Sequence, residues 1–280
     1  TGRFLLLGAA TGIGFAVVPI NQTTGDVPNT AITAPTTPNH STTLDYDWHP
    51  TGRWIARIGN NAPQIAIFPF DPDAPEVGAA ITAPDASGGN GIYRKIQWHP
   101  SGNWLAYTHT ALDTDKYITI VSFNPDTGVF GTPVQYAAPL VNRDITSTYN
   151  TLEWHPSGTA IAIGWRNTSS SNIRGIIQRF NPDTGALLGS SSSSDRLVIT
   201  STSAWTSTTL GPIHLKFSND GTKLFINQTS GGDLSVVKVF DINTFTFTGE
   251  LTQPAAIFTT NISSVYFSPF DDVLILTNAA

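Results

Sequence analysis

The 280-residue sequence contains no cysteine and no methionine, and only 12% of its residues are charged. The absence of cysteine excludes a disulfide framework, a thiolate zinc site and a thiol nucleophile. The formal net charge is −6, and the 14 lysines and arginines form no run that could neutralise successive phosphates, so we expect no nucleic-acid partner. Because position 1 is not methionine, we expect a processed chain or a piece of a longer one.

An uninterrupted hydrophobic run of membrane-spanning length is also missing. The apolar stretch 4–20 is broken by three glycines and by Pro19, and no basic flank follows it. A membrane helix needs about 20 consecutive apolar residues, so we expect no membrane insertion. Gly, Pro, Thr, Ser and Asn are abundant instead, which is typical of many short strands joined by turns.

One motif recurs five times along the chain. It is WHPTGRWIARIG at Trp48, WHPSGNWLAYTH at Trp98, WHPSGTAIAIGW at Trp154, and more loosely FSNDGTKLFIN at Phe217 and FSPFDDVLILT at Phe267. The successive spacings are 50, 56, 63 and 50 residues. A second marker of the type N-P-D-T-G runs in phase with the first and follows four of these turns, at Asp71, Asn124, Asn181 and Asp241, with a fifth copy at Asn21. Regular repetition of this length indicates a fold built from copies of one supersecondary unit.

Each repeat predicts four short strands. The first alternates apolar and polar residues and ends in the aromatic, and the second, after the H-P-S-G turn, is almost continuously apolar. The third is β-branched and aromatic and ends at the N-P-D-T-G turn, whereas the fourth is short and rich in Gly, Thr and Pro, as expected at an outer edge. No segment shows a helical period.

The string W-H-P-S-G-x-W-L-A resembles the F-S-P-D-G-x-x-L-A turn of WD40-like, TolB-like and YVTN-type β-propellers. It matches at the aromatic, the proline, the glycine and the apolar run, and it departs by placing His where those families usually have Ser, and Ser or Thr where they usually have Asp. The resemblance covers essentially the whole chain. It implies an all-β fold, a β-propeller of four-stranded antiparallel blades, with five repeats of about 50 residues plus an extra strand.

The repeat frame predicts a single propeller domain over residues 1–280, in which the chain begins just after an aromatic turn. The five repeats are 1–50, 51–100, 101–156, 157–219 and 220–269. The extra strand in 270–280 has no obvious place in them, so we expect either a larger domain or pairing with another subunit. The residues predicted to bind a partner through this strand are Val273, Leu274, Ile275 and Leu276.

Gly8, Gly12 and Gly14 match the spacing of a dehydrogenase nucleotide loop. That site needs a helix directly after the glycines, but residues 15–20 are β-branched and include Pro19. The Tyr-x-x-x-Lys pair of those enzymes is also absent. We therefore interpret the glycines as part of a blade hairpin and predict no cofactor.

His49, His99 and His155 occupy equivalent turns of three repeats. Blade symmetry sets such turns well apart, whereas zinc ligands all lie about 2 Å from one ion, so we interpret these histidines as turn residues that bond local backbone. The Asp-containing hairpins offer too few carboxylates for the six to eight oxygens that Ca²⁺ takes. The sequence predicts no metal, cofactor or catalytic residue.

Trp205 lies in the hydroxyl-rich insertion 190–212 of the fourth repeat. Long loops in compact domains are usually functional or disordered, and an isolated tryptophan can anchor a partner or a sugar ring. We predict partner binding at Trp205, with a flexible loop carrying a locally packed ring as the alternative.

Together these features predict a non-enzymatic structural or interaction module, exposed on a virion or outside a cell, whose protein partners include copies of itself. Repeats of this style resemble those of phage virion proteins. Two alternatives stay open: a lactonase or other hydrolase at the central channel, and a carbohydrate-binding module. Carboxylates or histidines gathered at the channel mouth would favour the enzyme.

Overall fold

A computed structural model describes residues 3–8, 15–28, 30–32, 35, 37–38, 43–59, 63–84, 92–110, 116–137, 151–164, 173–188, 196–200, 212–228, 236–242, 246–252, 262–267 and 274–278. Every regular element within them is a β-strand, and the strands pair antiparallel. No apolar helix of membrane-spanning length occurs in these ranges. The chain divides into two compact units: unit 1 is Thr1–Thr114 with Ile118–Gln135, and unit 2 is Asp115–Tyr117 with Tyr136–Ala280.

The chain begins with a hairpin, followed by two sheets that are named here after their first strands. The strands are β1 (Phe4–Gly8), β2 (Phe15–Pro19), β3 (Thr43–Trp48), β4 (Trp54–Gly59), β5 (Ile65–Asp71), β6 (Glu76–Val77), β7 (Ile81–Thr82), β8 (Ile92–Trp98), β9 (Trp104–Thr110), β10 (Lys116–Asn124), β11 (Val129–Phe130) and β12 (Val134–Ala137). The β3 sheet has the order β3-β4-β5-β6 with β7 also on β5, and the β8 sheet has the order β8-β9-β10-β11 with β12 also on β10.

The described residues from Thr151 onward form two further sheets and a two-stranded ribbon. The strands are β13 (Thr151–Trp154), β14 (Ala160–Gly164), β15 (Ile173–Asn181), β16 (Ala186–Leu187), β17 (Arg196–Thr200), β18 (Pro212–Phe217), β19 (Lys223–Gln228), β20 (Val236–Asp241), β21 (Thr246–Thr252), β22 (Ile262–Phe267) and β23 (Leu274–Asn278). The β13 sheet has the order β13-β14-β15-β16 with β17 also on β15, the β18 sheet runs β18-β19-β20-β21, and β22 pairs with β23.

The predicted strand pattern is confirmed in the first three strands of each sheet. The second strand is deeply buried: β4 is buried from Ile55 to Gly59 and β14 from Ile161 to Gly164. It lies between the first and third strands and is covered on both faces, which is why its sequence is continuously apolar. The fourth strand is predicted as one short segment, but in the β3 sheet it consists of two short segments, β6 and β7, which both pair with β5.

The glycine-containing start of the chain forms the predicted hairpin. β1 pairs with β2 from Phe4 opposite Pro19 to Gly8 opposite Phe15. Residues 15–19 are thus a strand, and the helix that a nucleotide loop requires does not follow the glycines. The connecting residues 9–14 lie outside the described part of the chain.

Each unit is held together by apolar residues between neighbouring sheets. In unit 1, Phe15 and Val17 of the hairpin pack on Phe68 and Phe70 of the β3 sheet. A second cluster joins the β3 and β8 sheets, and a third, in unit 2, joins the β13 and β18 sheets. Face-to-face packing of sheets in this way excludes water from both surfaces and supplies the main stabilising term.

One large cation is buried in the first of these interfaces. Arg57 is 0% exposed, its guanidinium lies 5.9 Å from the Phe15 ring centroid and 5.1 Å from that of Phe68, and it donates to the carbonyl of Pro38. Burial lowers the pKa of Arg57 to about 10. The aromatic faces and the carbonyl provide the electron-rich surroundings that a desolvated guanidinium needs.

The turn histidine of the motif joins consecutive sheets. His49 Nδ1 accepts the backbone N–H of Thr51 at 3.1 Å, and its Nε2 lies 2.9 Å from the carbonyl oxygen of Gly102 in the next repeat. Because Nδ1 is an acceptor, the proton is assigned to Nε2, which donates to Gly102. His155 repeats the arrangement, with Nε2 2.9 Å from the Gly221 carbonyl. We call this contact the histidine–glycine clamp.

The clamp explains why the turn needs a glycine as well as a histidine. Gly102 and Gly221 have φ of 76° and 73°, in the left-handed region that favours glycine. In both, an added Cβ would collide with the histidine ring of the preceding repeat. The predicted local backbone bond of the histidines is confirmed, and the bond to the following repeat is a contact that the prediction lacked.

The fourth turn, which follows Phe217, is stabilised by a different pair of side chains. Ser218 stands in the position of the histidine, and its Oγ donates to Asp220 Oδ1 at 2.6 Å. Hydrogen bonds from Ser218 and Thr222 lower the pKa of Asp220 to about 2. The chain's departure from the F-S-P-D-G pattern is therefore an exchange of two residues together. Where that pattern has Ser and, two residues later, Asp, the first three turns have His and, two residues later, Ser or Thr.

Gly102→Ala is expected to destabilise the protein more than Gly52→Ala. Both glycines are left-handed, with φ of 76° and 71°, so each alanine costs about 1 to 2 kcal/mol of conformational strain. Nothing lies within 4 Å of a Cβ at Gly52. A Cβ at Gly102, however, displaces the His49 ring and breaks a buried hydrogen bond, which lowers the free energy of unfolding by about 1 to 3 kcal/mol more. Urea unfolding of the two variants measures their free energies of unfolding. Equal losses would contradict the clamp.

The clamp also predicts a loss of stability in mild acid. Burial lowers the pKa of His49 below its ordinary 6.5, although the bond to Gly102 opposes this. The unfolded chain then takes up a proton more readily than the folded chain, so the free energy of unfolding falls as the pH drops below about 6.5. Unfolding of the wild type and of His49→Gln between pH 7.5 and 5 should give a smaller decline in the variant. Parallel curves would show that His49 makes no contribution.

Candidate functional site

The first strand of each sheet carries a polar face. Successive side chains of a strand point to opposite sides, and here polar residues stand one and three positions before the motif aromatic. In unit 1 they belong to β3 and β8, which lie side by side, and in unit 2 to β13 and β18. The charged members are Asp45, Asp47, Lys95, Glu153 and Lys216.

In unit 1 two aspartates of β3 reach across to β8. Asp45 Oδ1 lies 3.0 Å from Lys95 Nζ, and Asp45 Oδ2 accepts the backbone N–H of Ile96 at 3.0 Å. Two residues further along, Asp47 Oδ2 accepts the N–H of Trp98 at 2.7 Å. The two carboxylates therefore lie on one face of β3, about 7 Å apart along the strand.

This group of charges is accessible to solvent. The side chains of Lys95 and Asp45 are 31% and 18% exposed, and Asp47 is half-buried. Two carboxylates and one ammonium give the group a formal charge of −1. We call Asp45, Asp47 and Lys95 the unit 1 polar site.

Unit 2 contains a related pair. Lys216 Nζ of β18 lies 2.5 Å from Glu153 Oε1 of β13, with side-chain exposures of 32% and 10%. The pair stands one position before the motif aromatic, whereas Asp45 and Lys95 stand three positions before it. A carboxylate–ammonium pair thus joins neighbouring first strands in each unit.

These groups fit acid–base chemistry on a polarised carbonyl. A carboxylate near an accessible surface can accept a proton from water, and an ammonium held beside it can stabilise negative charge that develops on an oxygen. In the described ranges no three His, Asp or Glu side chains are grouped so that they could hold a metal ion.

The predicted partner-binding residues fall elsewhere. Trp205 and Val273 lie outside the described part of the chain. Leu274, Ile275 and Leu276 belong to β23, where they pair with Phe267, Tyr266 and Val265 of β22 in the same chain. One edge of that strand is therefore occupied within the chain, so pairing with a second copy stays a prediction for the other edge alone.

The polar site was missed in the sequence because strand alternation was used only to locate the core. The signal was present: Asp45 and Asp47 stand at the polar positions of the first strand, and Lys95 stands 50 residues after Asp45 at the same position of the next repeat. An alignment of the first strands of successive repeats places Asp45 and Lys95 at the same position with opposite charges, which predicts their ion pair.

The chain matches known proteins in structure and not in sequence. No protein-family model matches it, and no curated protein does. A candidate 6-phosphogluconolactonase from Bacteroides uniformis is 17% identical, with a TM-score of 0.58 over 89% of this chain and 67% of that one. The periplasmic gluconolactonase of Pseudomonas aeruginosa is 14% identical, with a TM-score of 0.67 over 99% and 75%. A Lactobacillus plantarum protein is 13% identical, with a TM-score of 0.56 over 90% and 67%.

At these identities the likeness shows the fold, and the predicted all-β propeller is confirmed. The finer resemblance to WD40 repeats and to phage virion proteins gains no support from these structures. The prediction of a non-enzymatic structural virion component is wrong: the two of these structures that carry a named activity are lactonases, in agreement with the enzyme alternative. The turn motif misled because it builds a hairpin, which an enzyme and a structural protein share.

Proposed function

We propose that the protein hydrolyses a sugar lactone. The observation that carries this proposal is the unit 1 polar site, in which Lys95 and Asp45 lie 3.0 Å apart at an accessible surface with Asp47 on the same face. Two of the similar propellers are named as lactonases, which supports the same reaction class here.

The reaction needs a base for water and a positive charge for the carbonyl oxygen. In our proposal Asp47 takes a proton from a water molecule as its oxygen bonds to the lactone carbonyl carbon. The Lys95 ammonium stabilises the negative charge on the carbonyl oxygen. The ring C–O bond then breaks, the leaving oxygen takes the proton and becomes a hydroxyl, and the product is an open-chain hydroxy acid that releases a proton to solution.

Asp45 is assigned a positioning role. Both of its oxygens are engaged, one with Lys95 and the other with the N–H of Ile96. It therefore fixes the ammonium against β8. Removal of Asp45 should leave a charged but poorly placed lysine.

The charge of the site favours an unphosphorylated substrate. The unit 1 polar site carries −1 and the chain carries −6, so a phosphate group would be repelled on approach. Among the activities named for the similar structures, gluconolactone hydrolysis is therefore the better model for this chain than 6-phosphogluconolactone hydrolysis.

We also place this activity outside the cytoplasm. The Pseudomonas aeruginosa protein of similar structure is named as periplasmic, and the absence of cysteine suits an exposed environment. Nothing supports the narrower placement on a virion surface.

Asp47→Asn should abolish most of the lactone hydrolysis without unfolding the protein. Loss of a general base typically lowers kcat by about 10² to 10⁴-fold, whereas the amide oxygen of asparagine still accepts the N–H of Trp98. Asp126→Asn, at an exposed hairpin, is the matched control and should keep full activity. The measurement is proton release from glucono-δ-lactone in a pH-stat, corrected for uncatalysed hydrolysis.

Two results would overturn the proposal. One is a wild-type rate no higher than the uncatalysed rate, and the other is equal activity of Asp47→Asn and Asp126→Asn. Saturable binding of the lactone without turnover would instead identify a carbohydrate-binding module.

A further inference from the structure

A cavity of about 490 Å³ opens in unit 1 beside the turn that carries the first WHP motif. Its walls include Arg3, Phe4, Trp48, Arg53 and Asp73. None of these residues belongs to the unit 1 polar site, which lies along β3 and β8. The volume falls within the range of about 300 to 1,000 Å³ that small-molecule pockets occupy.

Comparison of successive repeats shows how the cavity arises. At the start of β4, the Trp54 indole donates from Nε1 to the Pro125 carbonyl at 3.0 Å and meets the Phe123 ring edge-on at 5.2 Å. It also covers Gly128, where an added Cβ would touch the indole.

One repeat earlier the tryptophan is replaced by Phe4. Phe4 meets the Phe70 ring edge-on at 4.9 Å, just as Trp54 meets Phe123, and Pro72 stands in the position of Pro125. Phenylalanine lacks the second ring and the N–H, so it leaves unfilled the space that the indole occupies in the next repeat. The cavity therefore reflects the difference between Phe4 and Trp54 in these two consecutive repeats.

Two arginines converge at this cavity. Arg3 and Arg53 hold the same position in consecutive repeats, and their Nη2 atoms lie 3.5 and 3.2 Å from the two oxygens of Asp73. The group carries a formal charge of +1 in a chain of net charge −6. In the following repeat the position of Arg53 is occupied by Asn103, so the cation pair is specific to this cavity.

The arginines keep donors available for a ligand. Their side chains are 42% and 57% exposed, and a guanidinium has five N–H donors, of which Asp73 engages few. Asp73 holds the two guanidiniums side by side, in a geometry suited to the oxygens of a carboxylate or phosphate group. Phe4 and Trp48 add aromatic surface for the apolar body of a ligand.

We propose that this cavity binds a small organic anion, with its carboxylate or phosphate group on Arg3 and Arg53 and its ring against Phe4 and Trp48. The site is separate from the unit 1 polar site and does not depend on lactone hydrolysis.

Benzoate and phenyl phosphate are suitable probes, since they share a ring and differ in the anionic group. Isothermal titration should show saturable binding of at least one of them to the wild-type chain. Stronger binding of benzoate assigns a carboxylate ligand, and stronger binding of phenyl phosphate assigns a phosphate ligand. Arg53→Gln should weaken binding at least about tenfold, because a charge-assisted hydrogen bond is lost. Arg179→Gln, which removes an exposed arginine of unit 2, is the charge-matched control and should bind as the wild type does.

Phe4→Trp tests the origin of the cavity without changing any charge. The indole should fill the space as Trp54 does in the next repeat, so binding should be lost while the thermal midpoint is equal or higher. Lactone hydrolysis by this variant should be unchanged, which separates failure of this proposal from failure of the proposed activity. The proposal is overturned if neither probe binds the wild type, if Arg179→Gln weakens binding as much as Arg53→Gln, or if Phe4→Trp binds normally.

Discussion

A hydrogen bond from a turn histidine to the turn glycine of the next repeat ties neighbouring sheets together within each unit of this protein. It joins His49 to Gly102 in unit 1 and His155 to Gly221 in unit 2. The bond lies at the end of the first strands. Further along β3, the carboxylates of Asp45 and Asp47 accept backbone N–H groups of β8 and so hold the two strands in the same relative position. A sheet displaced along its neighbour would separate Asp45 from Lys95. The polar site therefore depends on the histidine–glycine clamp.

Function in this chain is proposed where the repeats differ from one another. The apolar positions and the turns are nearly the same in each repeat, because each must pack against the next. The polar positions of the first strands vary, from Asp45 and Asp47 to Lys95 and then Glu153. Phe4 stands where the next repeat has Trp54, and a cavity lies beside it. Packing constrains the features that the repeats share, and the remaining positions are available for binding and catalysis.

Much of the fold was predictable from the sequence, since local signals determine it. The motif aromatics, the continuous apolar run of β4 and the left-handed turn glycines each indicate a structure within a few residues. The division of the fourth strand into β6 and β7 was not predictable, because pairing at an outer edge depends on β5 and not on the short segments themselves. The contact of His49 Nε2 with Gly102 was missed for a related reason: it joins residues 53 apart, and the sequence does not state the offset between sheets. The pairing of Asp45 with Lys95 was missed for the same reason, because it also depends on the relative position of neighbouring sheets.

The tautomer of the turn histidines is the most direct test of this account. Long-range ¹H–¹⁵N NMR spectra distinguish a proton on Nδ1 from a proton on Nε2, and the variants His49→Gln and His155→Gln would assign the signals. The clamp predicts that both imidazoles carry a proton on Nε2 and none on Nδ1, because Nδ1 accepts a backbone N–H in each turn. Protonated Nδ1, or the averaged signals of a freely exchanging imidazole, would contradict it.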